Sequence, residues 1–222
     1  LNGETGKMGS CISSLIDNDA GLELVNQDRL KNADVVIDYS HPDSTASILQ
    51  ECIRLHKPMV IGTTGIKKDL ANQIIESSKT IPIMQAANTS KGIMNLKESI
   101  LHFISNNTHH VECHIKEIHH KEKIDSPSGT AIELKEFIRN NDKNNIVKSI
   151  NITSIREDDV FGIHEVTFNF ENNSVEFKHE ALSREAFAMG AISAAKFMSI
   201  SKPDILSLIH ISETTRHTDI SY

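Results

Sequence analysis

The chain has 222 residues, 38% hydrophobic and 24% charged, with 10 glycines and 5 prolines; at about 150 residues per domain this is one large or two small globular domains, and it excludes a disordered or fibrous chain. With 30 acidic against 23 basic residues the net charge is -7. That sign excludes a general positive field for gathering nucleic acid or anionic membrane, so any anion site must be built locally.

The chain opens on Leu1 rather than Met, and a glycine loop starting at Gly3 leaves no room for a strand before it, so the N-terminus reads as truncated. Gly6 to Ile16 predicts a helix with Met8, Ile12, Leu15 and Ile16 on one face. Strands are predicted at Leu22 to Val25, Val35 to Tyr39, Met59 to Gly62 and Ile81 to Met84. Between them fall a helix capped by Asp43 and carrying Ile48, Leu49, Cys52 and Ile53, and another near Asp69 to Ser78. This alternation predicts βαβ units on a parallel sheet. The segment Asp34-Val35-Val36-Ile37-Asp38 is apolar between acidic ends, as a strand covered on both faces should be.

After Asn88 the pattern changes. Val111, Cys113 and Ile115 alternate with Glu112, His114 and Lys116, which predicts a half-buried strand. A helix carrying Ala131, Leu134 and Ile138 on its buried stripe follows, capped by Ser126 or Ser128. Further alternation marks Ile150 to Ile155, His164 to Phe170 and Val175 to Phe177, with Asn172-Asn173 as a hairpin turn, so this part reads as α+β. Ser183 to Met198 returns to a helix whose Ala188, Gly190, Ala191, Ala194 and Ala195 permit close approach, and it is expected to pack back on the first domain. Residues 207–212 resemble translated sequencing-adapter DNA, and 206–222 are read as a non-native or unstructured tail.

Gly3-Glu4-Thr5-Gly6-Lys7-Met8-Gly9 places glycines at the mouth of a helix, where backbone can approach a pyrophosphate and free N–H groups meet its charge. Alone it reads equally as a dinucleotide loop or an ordinary turn. Gly62-Thr63-Thr64-Gly65 and Ala86-Ala87-Asn88-Thr89-Ser90 also follow predicted parallel strands, so three such loops line one sheet edge.

The densest chemistry is Glu117-Ile118-His119-His120-Lys121-Glu122-Lys123-Ile124-Asp125-Ser126-Pro127-Ser128-Gly129-Thr130-Ala131. A strand end delivers two imidazoles and an ammonium directly before a helix N-terminus, whose amides near Ser128, Gly129 and Thr130 suit a carboxylate or phosphate. Histidine donates a proton near neutrality and lysine can hold a carboxylate, so the set suits reduction of an anionic, protonatable substrate. A zinc site is not expected, because strand alternation points His114 away from Cys113 and His119. Cys11, Cys52 and Cys113 form no CxxC and are odd in number, which fits a reducing cytoplasm. No apolar run approaches the roughly 20 residues of a membrane span, and no charged and apolar signal segment opens the chain. No GxSxG elbow supports a hydrolase.

These motifs resemble the bacterial 4-hydroxy-tetrahydrodipicolinate reductases of lysine and diaminopimelate biosynthesis. The resemblance runs from about Asn2 to Pro203 and rests on the glycine loop, Val36 to Pro42, the GTTG loop, Ala87 to Ser90, the His-His-x-x-Lys-x-Asp-x-Pro-Ser-Gly-Thr segment, Arg156 to His164, and His179 to Ala191. It implies an α/β protein with a Rossmann-like nucleotide-binding domain over 1–88 with 184–205, and a smaller α+β substrate and oligomerisation domain over 89–183. It implies NADH or NADPH held by Gly3, Glu4, Thr5, Gly6, Lys7, Met8, Gly62, Thr63, Thr64, Ala86, Ala87, Asn88 and Thr89. His119 and Lys123 match the family's proton-donor positions, and His120, Ser128, Gly129 and Thr130 match contacts to a cyclic dicarboxylate. A homotetramer in the cytoplasm, with no metal, nucleic-acid or membrane partner, is implied as well. The alternative is a sensor that binds the nucleotide on the same fold without catalysis.

Overall fold

The computed structural model describes residues 1–206. In chain order these form α1 (Lys7–Asp17), a 3-10 turn (Gln27–Asn32), β1 (Val36–Asp38), α2 (Pro42–Leu55), β2 (Met59–Ile61), α3 (Lys68–Ser77) and β3 (Ile83–Gln85). There follow α4 (Lys91–Asn106), β4 (Val111–His119), α5 (Gly129–Asn141), β5 (Val147–Arg156), β6 (Ile163–Asn169), β7 (Ser174–Glu180), α6 (Glu185–Met198) and β8 (Ile205–Leu206). Two compact units result, one of residues 1–90 with those from Arg184 onward, the other Lys91–Ser183.

In the first unit β1, β2, β3 and β8 pair in that order, all parallel. Val36, Met59, Ile61 and Ile83 pack against Leu49, Cys52, Leu70 and Ile74 from α2 and α3, the apolar stripe that the periodicity predicts. Two local expectations are corrected. The cap of α2 is His41, whose ring Nδ1 accepts from the Asp43 amide at 3.4 Å, while Asp43 itself sits in the first turn. Leu22–Val25 forms no strand. A strand exists only through its ladder, and beside β1 the pairing narrows to the single bridge Asn2–Asp38. A cleft of about 650 Å³, lined by Leu1, Leu22, Leu24, Val36 and Ile192 among others, occupies that place. Leu206, assigned above to the tail, pairs with Met84, and 207–222 lie outside the described residues.

The second unit is a mixed sheet in the order β5-β4-β6-β7, with β4 parallel to β5 and antiparallel to β6. Helix α4, which the sequence reading leaves without an element, packs Ile93, Leu96, Ile100 and Ile104 with Leu134 and Ile138 of α5 onto Val111, Cys113, Ile115, Val166 and Phe168. Phe103 and Phe168 meet at a centroid distance of 4.6 Å. The alternate positions of β4 carry Glu112, His114 and Lys116, where His114 bonds Thr153 at 2.9 Å and Lys116 pairs with Glu165 at 2.8 Å.

Candidate active site

At the carboxyl edge of the first sheet a buried carboxylate ties Asn2, beside the glycine loop, to Thr63 of the GTTG loop. Asp38 Oδ1 accepts from Asn2 Nδ2 (2.8 Å) and Ser40 Oγ (2.5 Å), and Oδ2 from Thr45 Oγ1 (2.5 Å) and Thr63 Oγ1 (2.9 Å). Gly3 takes a positive φ of 86°, and its carbonyl accepts from the Gly6 amide at 3.0 Å. Gly6 caps α1 with no side-chain bond, and no acidic residue lies in the first turn. A Cβ on Gly9 would stand 2.0 Å from the Gly3 carbonyl oxygen, so the loop lies directly on the first turn of α1. Glu4, Thr5, Gly6 and Lys7 are exposed and Met8 is half-buried. This glycine cradle at a helix N-terminus fits a nucleotide phosphate.

The other two loops are joined by side chains. Tyr39 covers Gly62, where a Cβ would come within 2.2 Å of the ring, and shares a 2.7 Å hydrogen bond with Thr89 Oγ1. Burial pushes the Tyr39 phenol up to about 12. Thr89 Oγ1 also donates to the Phe187 carbonyl at 2.6 Å, and Asn88 Oδ1 accepts from the Ser90 amide at 2.9 Å. Thr63 and Ala86 are buried, Ala87 is half-buried and Thr64 is exposed.

The second unit carries the acid-base cluster at the end of β4. Strand alternation puts Glu117 and His119 on the core face after Ile115. Both are buried, at 0% and 7% exposure. Glu117 Oε2 contacts His119 Nδ1, and Arg156 grips the carboxylate with Nη1 to Oε2 and Nη2 to Oε1, each at 3.0 Å. Burial pushes the Glu117 carboxyl up, but its hydrogen bonds, led by Arg156, hold it at about 2. Burial lowers His119, opposed by Glu117 and aided by Lys123 and Arg156. His164, at 1% exposure, lies 5.1 Å from the His119 ring and 3.4 Å from Ser128 Oγ. Burial first, then the neighbouring His119, His179 and Lys123, push it down to about 3.

Ser128, not Ser126, caps α5, with Oγ accepting from the Ala131 amide at 3.2 Å. Gly129 opens the helix, Thr130 is buried in its first turn, and His120 is half-buried. Asp125 already supplies an anion to this end: Oδ2 accepts from the Gly129 amide at 3.2 Å, and Oδ1 meets Lys123 Nζ at 2.7 Å. Although burial pushes the Asp125 carboxyl up, Lys123 and the Gly129 amide bring it below its ordinary value. An internal carboxylate thus engages the ammonium and the helix end that the sequence reading assigned to a ligand. Glu117, Asp125, Arg156 and His164 were given no role from sequence. The available signal was charge on the apolar face of β4 and its neighbours. Among the described residues no group of three or more His, Cys, Asp or Glu could hold a metal ion, and no helix is long and apolar enough to cross a membrane.

A parallel-sheet unit with a glycine-cradled helix end, in one chain with a second unit that carries a buried imidazole and a cationic anion site, defines an oxidoreductase dependent on a nicotinamide nucleotide. Models of the dihydrodipicolinate reductase N-terminus and C-terminus match residues 26–89 and 92–211. A 4-hydroxy-tetrahydrodipicolinate reductase of Clostridium novyi is 38% identical, over 90% of this chain and 91% of its own. That of Rickettsia rickettsii is 34% identical, over 93% and 94%. The chain belongs to the 4-hydroxy-tetrahydrodipicolinate (dihydrodipicolinate) reductase family. In fold it is similar to the dipicolinate-bound dihydrodipicolinate reductase of Paenisporosarcina sp. TG-14, with a TM-score of 0.71 at 19% identity over 93% of this chain and 95% of that one. An aspartate dehydrogenase of Thermotoga maritima shares the fold at a TM-score of 0.51 and 13% identity, over 89% and 94%.

Proposed function

We propose that this protein reduces 4-hydroxy-tetrahydrodipicolinate to tetrahydrodipicolinate with NADH or NADPH, in lysine and diaminopimelate biosynthesis. The single observation that carries the reading is the convergence of His119, Lys123 and the α5 N-terminus at the end of β4. A reduced nicotinamide supplies hydride when bound. The loops at Gly3 to Met8, Gly62 to Thr64 and Ala86 to Thr89 hold the nucleotide. His119 delivers a proton from Nε2, and Lys123 exchanges its Asp125 partner for a substrate carboxylate and steadies the proton balance. His120, Ser128, Gly129 and Thr130 hold the dicarboxylate, with the α5 amides offsetting its charge. The net conversion adds one hydride and one proton and releases the 4-hydroxyl as water. The family resemblance also supports a cytoplasmic homotetramer assembled through the sheet of the second unit.

The test is oxidation of NADH and of NADPH by the purified protein, with substrate generated in place from pyruvate and aspartate semialdehyde. Lys123→Ala is expected to lower kcat by about 10²-fold or more, the usual worth of a positioned proton-handling group, while nucleotide affinity holds. Normal turnover by that variant refutes the role of Lys123. Nucleotide binding by wild type without turnover favours the sensor.

A further inference from the structure

Glu117 is a carboxylate on a strand face that otherwise holds Val111, Cys113 and Ile115, fully buried at 0% exposure. Such burial is costly unless the lone pairs are met. Here each oxygen has at least two partners. Oε1 accepts from Arg156 Nη2 at 3.0 Å and the Ser128 amide at 3.2 Å, and Oε2 from Arg156 Nη1 at 3.0 Å and from His119 Nδ1. Arg156 is itself held, donating to the carbonyls of Ile155 (2.7 Å), Asp125 (2.7 Å) and Lys123 (3.4 Å). The carboxylate therefore cannot swing away from the imidazole without leaving buried donors unmet.

An acceptor fixed at Nδ1 dictates the histidine tautomer: Nδ1 carries the hydrogen and Nε2 becomes the titrating atom. Nε2 faces Gly162, where a Cβ would stand 3.0 Å away, so the missing side chain leaves that nitrogen room. The charged and titratable groups around the ring are Glu117 on its own strand, Arg156 on β5, His164 on β6 and Lys123 from the following loop. Against the cations, Glu117 supplies the negative charge that favours the imidazolium.

We propose that Glu117, clamped by Arg156, is a positioning residue for His119, fixing its Nδ1–H tautomer and sustaining the protonated ring from which Nε2 donates. This rests on the reading of His119 as proton donor. In Glu117→Gln the shape is kept and the charge is lost. The amide can then present N–H to Nδ1 and favour the opposite tautomer. Removing the carboxylate also takes away the influence that raises His119, so the ring loses its proton at lower pH.

The experiment combines imidazole 15N NMR with pH profiles of kcat for wild type, Glu117→Gln, Glu117→Asp and His119→Ala. In wild type the neutral His119 ring is expected to carry hydrogen on Nδ1. In Glu117→Gln kcat falls about 10- to 100-fold, the usual effect of losing a histidine's orienting partner. KM for nucleotide holds, and the limb on which activity declines with rising pH moves to lower pH. Glu117→Asp keeps the charge and recovers part of the rate with the wild-type limb. A wild-type ring protonated on Nε2, or a folded Glu117→Gln with unchanged tautomer and pH limb, overturns the proposal. If His119→Ala turns over normally, the proton-donor reading fails instead, while the tautomer in Glu117→Gln still judges the positioning role.

Discussion

Gly190 lies in α6 where the helix meets the Thr89 loop, and a methyl group there tests how that loop is held. A Cβ at 190 would stand 1.7 Å from the Thr89 carbonyl oxygen, 2.6 Å from its carbon and 3.3 Å from the Thr89 Cβ. Backbone rather than a flexible side-chain end is in the way, so helix and loop must part by more than about 1 Å. In an unobstructed helix Gly→Ala gains about 1 kcal/mol. Overpacking of this kind costs about 1–3 kcal/mol. The shift also misaligns the Tyr39–Thr89 and Thr89–Phe187 hydrogen bonds, each worth about 1 kcal/mol. Gly190→Ala should therefore lose about 3 kcal/mol net, or roughly 6–12 °C in Tm for a chain of this size. Because Ala86 to Thr89 move with the carbonyl, nucleotide affinity should weaken as well. Thermal unfolding followed by circular dichroism, with a fluorescence titration of reduced nucleotide, reads both effects. Ser193→Ala on the exposed side of α6 serves as the control and should leave both nearly unchanged. A Gly190→Ala protein as stable as wild type that binds nucleotide equally well refutes the close approach.

Acid stability should report on His164. Its folded value of about 3 lies below the ordinary 6.5, so the unfolded chain binds the extra proton; stability is fully present above pH 6.5 and is lost as pH falls toward 3. The slope approaches about 1.4 kcal/mol per pH unit within that window. Glu117, at about 2 against 4.5, adds its loss only below pH 4.5. Urea unfolding of His164→Asn between pH 6.5 and 4.5 should show a flatter dependence than wild type, and an equal slope removes His164 as its source. Asp38→Ala removes the buried acceptor shared by the side chains of Asn2, Ser40, Thr45 and Thr63, leaving them only their weaker alternative contacts. It should cost about 3 kcal/mol and roughly 6–12 °C in Tm; a Tm within 2 °C or so of wild type would show the network to be replaceable.

Local pattern alone determined much of this protein. The apolar stripes of α1, α2 and α3, the alternation of β4, the hairpin before β7 and the small residues of α6 are short-range signals that side-chain burial rewards directly. Helix α4 carries the same signal, since Ile93, Leu96, Ile100 and Ile104 follow helical spacing. Leu22–Val25 shows the opposite case, an apolar/polar tetrapeptide left unpaired, because strand formation depends on a neighbour that its own residues do not specify. The site divides the same way. His119, Lys123 and the Ser128 cap lie within ten residues, and their chemistry follows from residue type and spacing. Their buried partners were set by register: β4 aligns His119 with Arg156 on β5, and Glu117 with His164 on β6. A slip of one residue would turn each of these side chains to the other face, and only the packing of the whole sheet against α4 and α5 selects the register that brings them together.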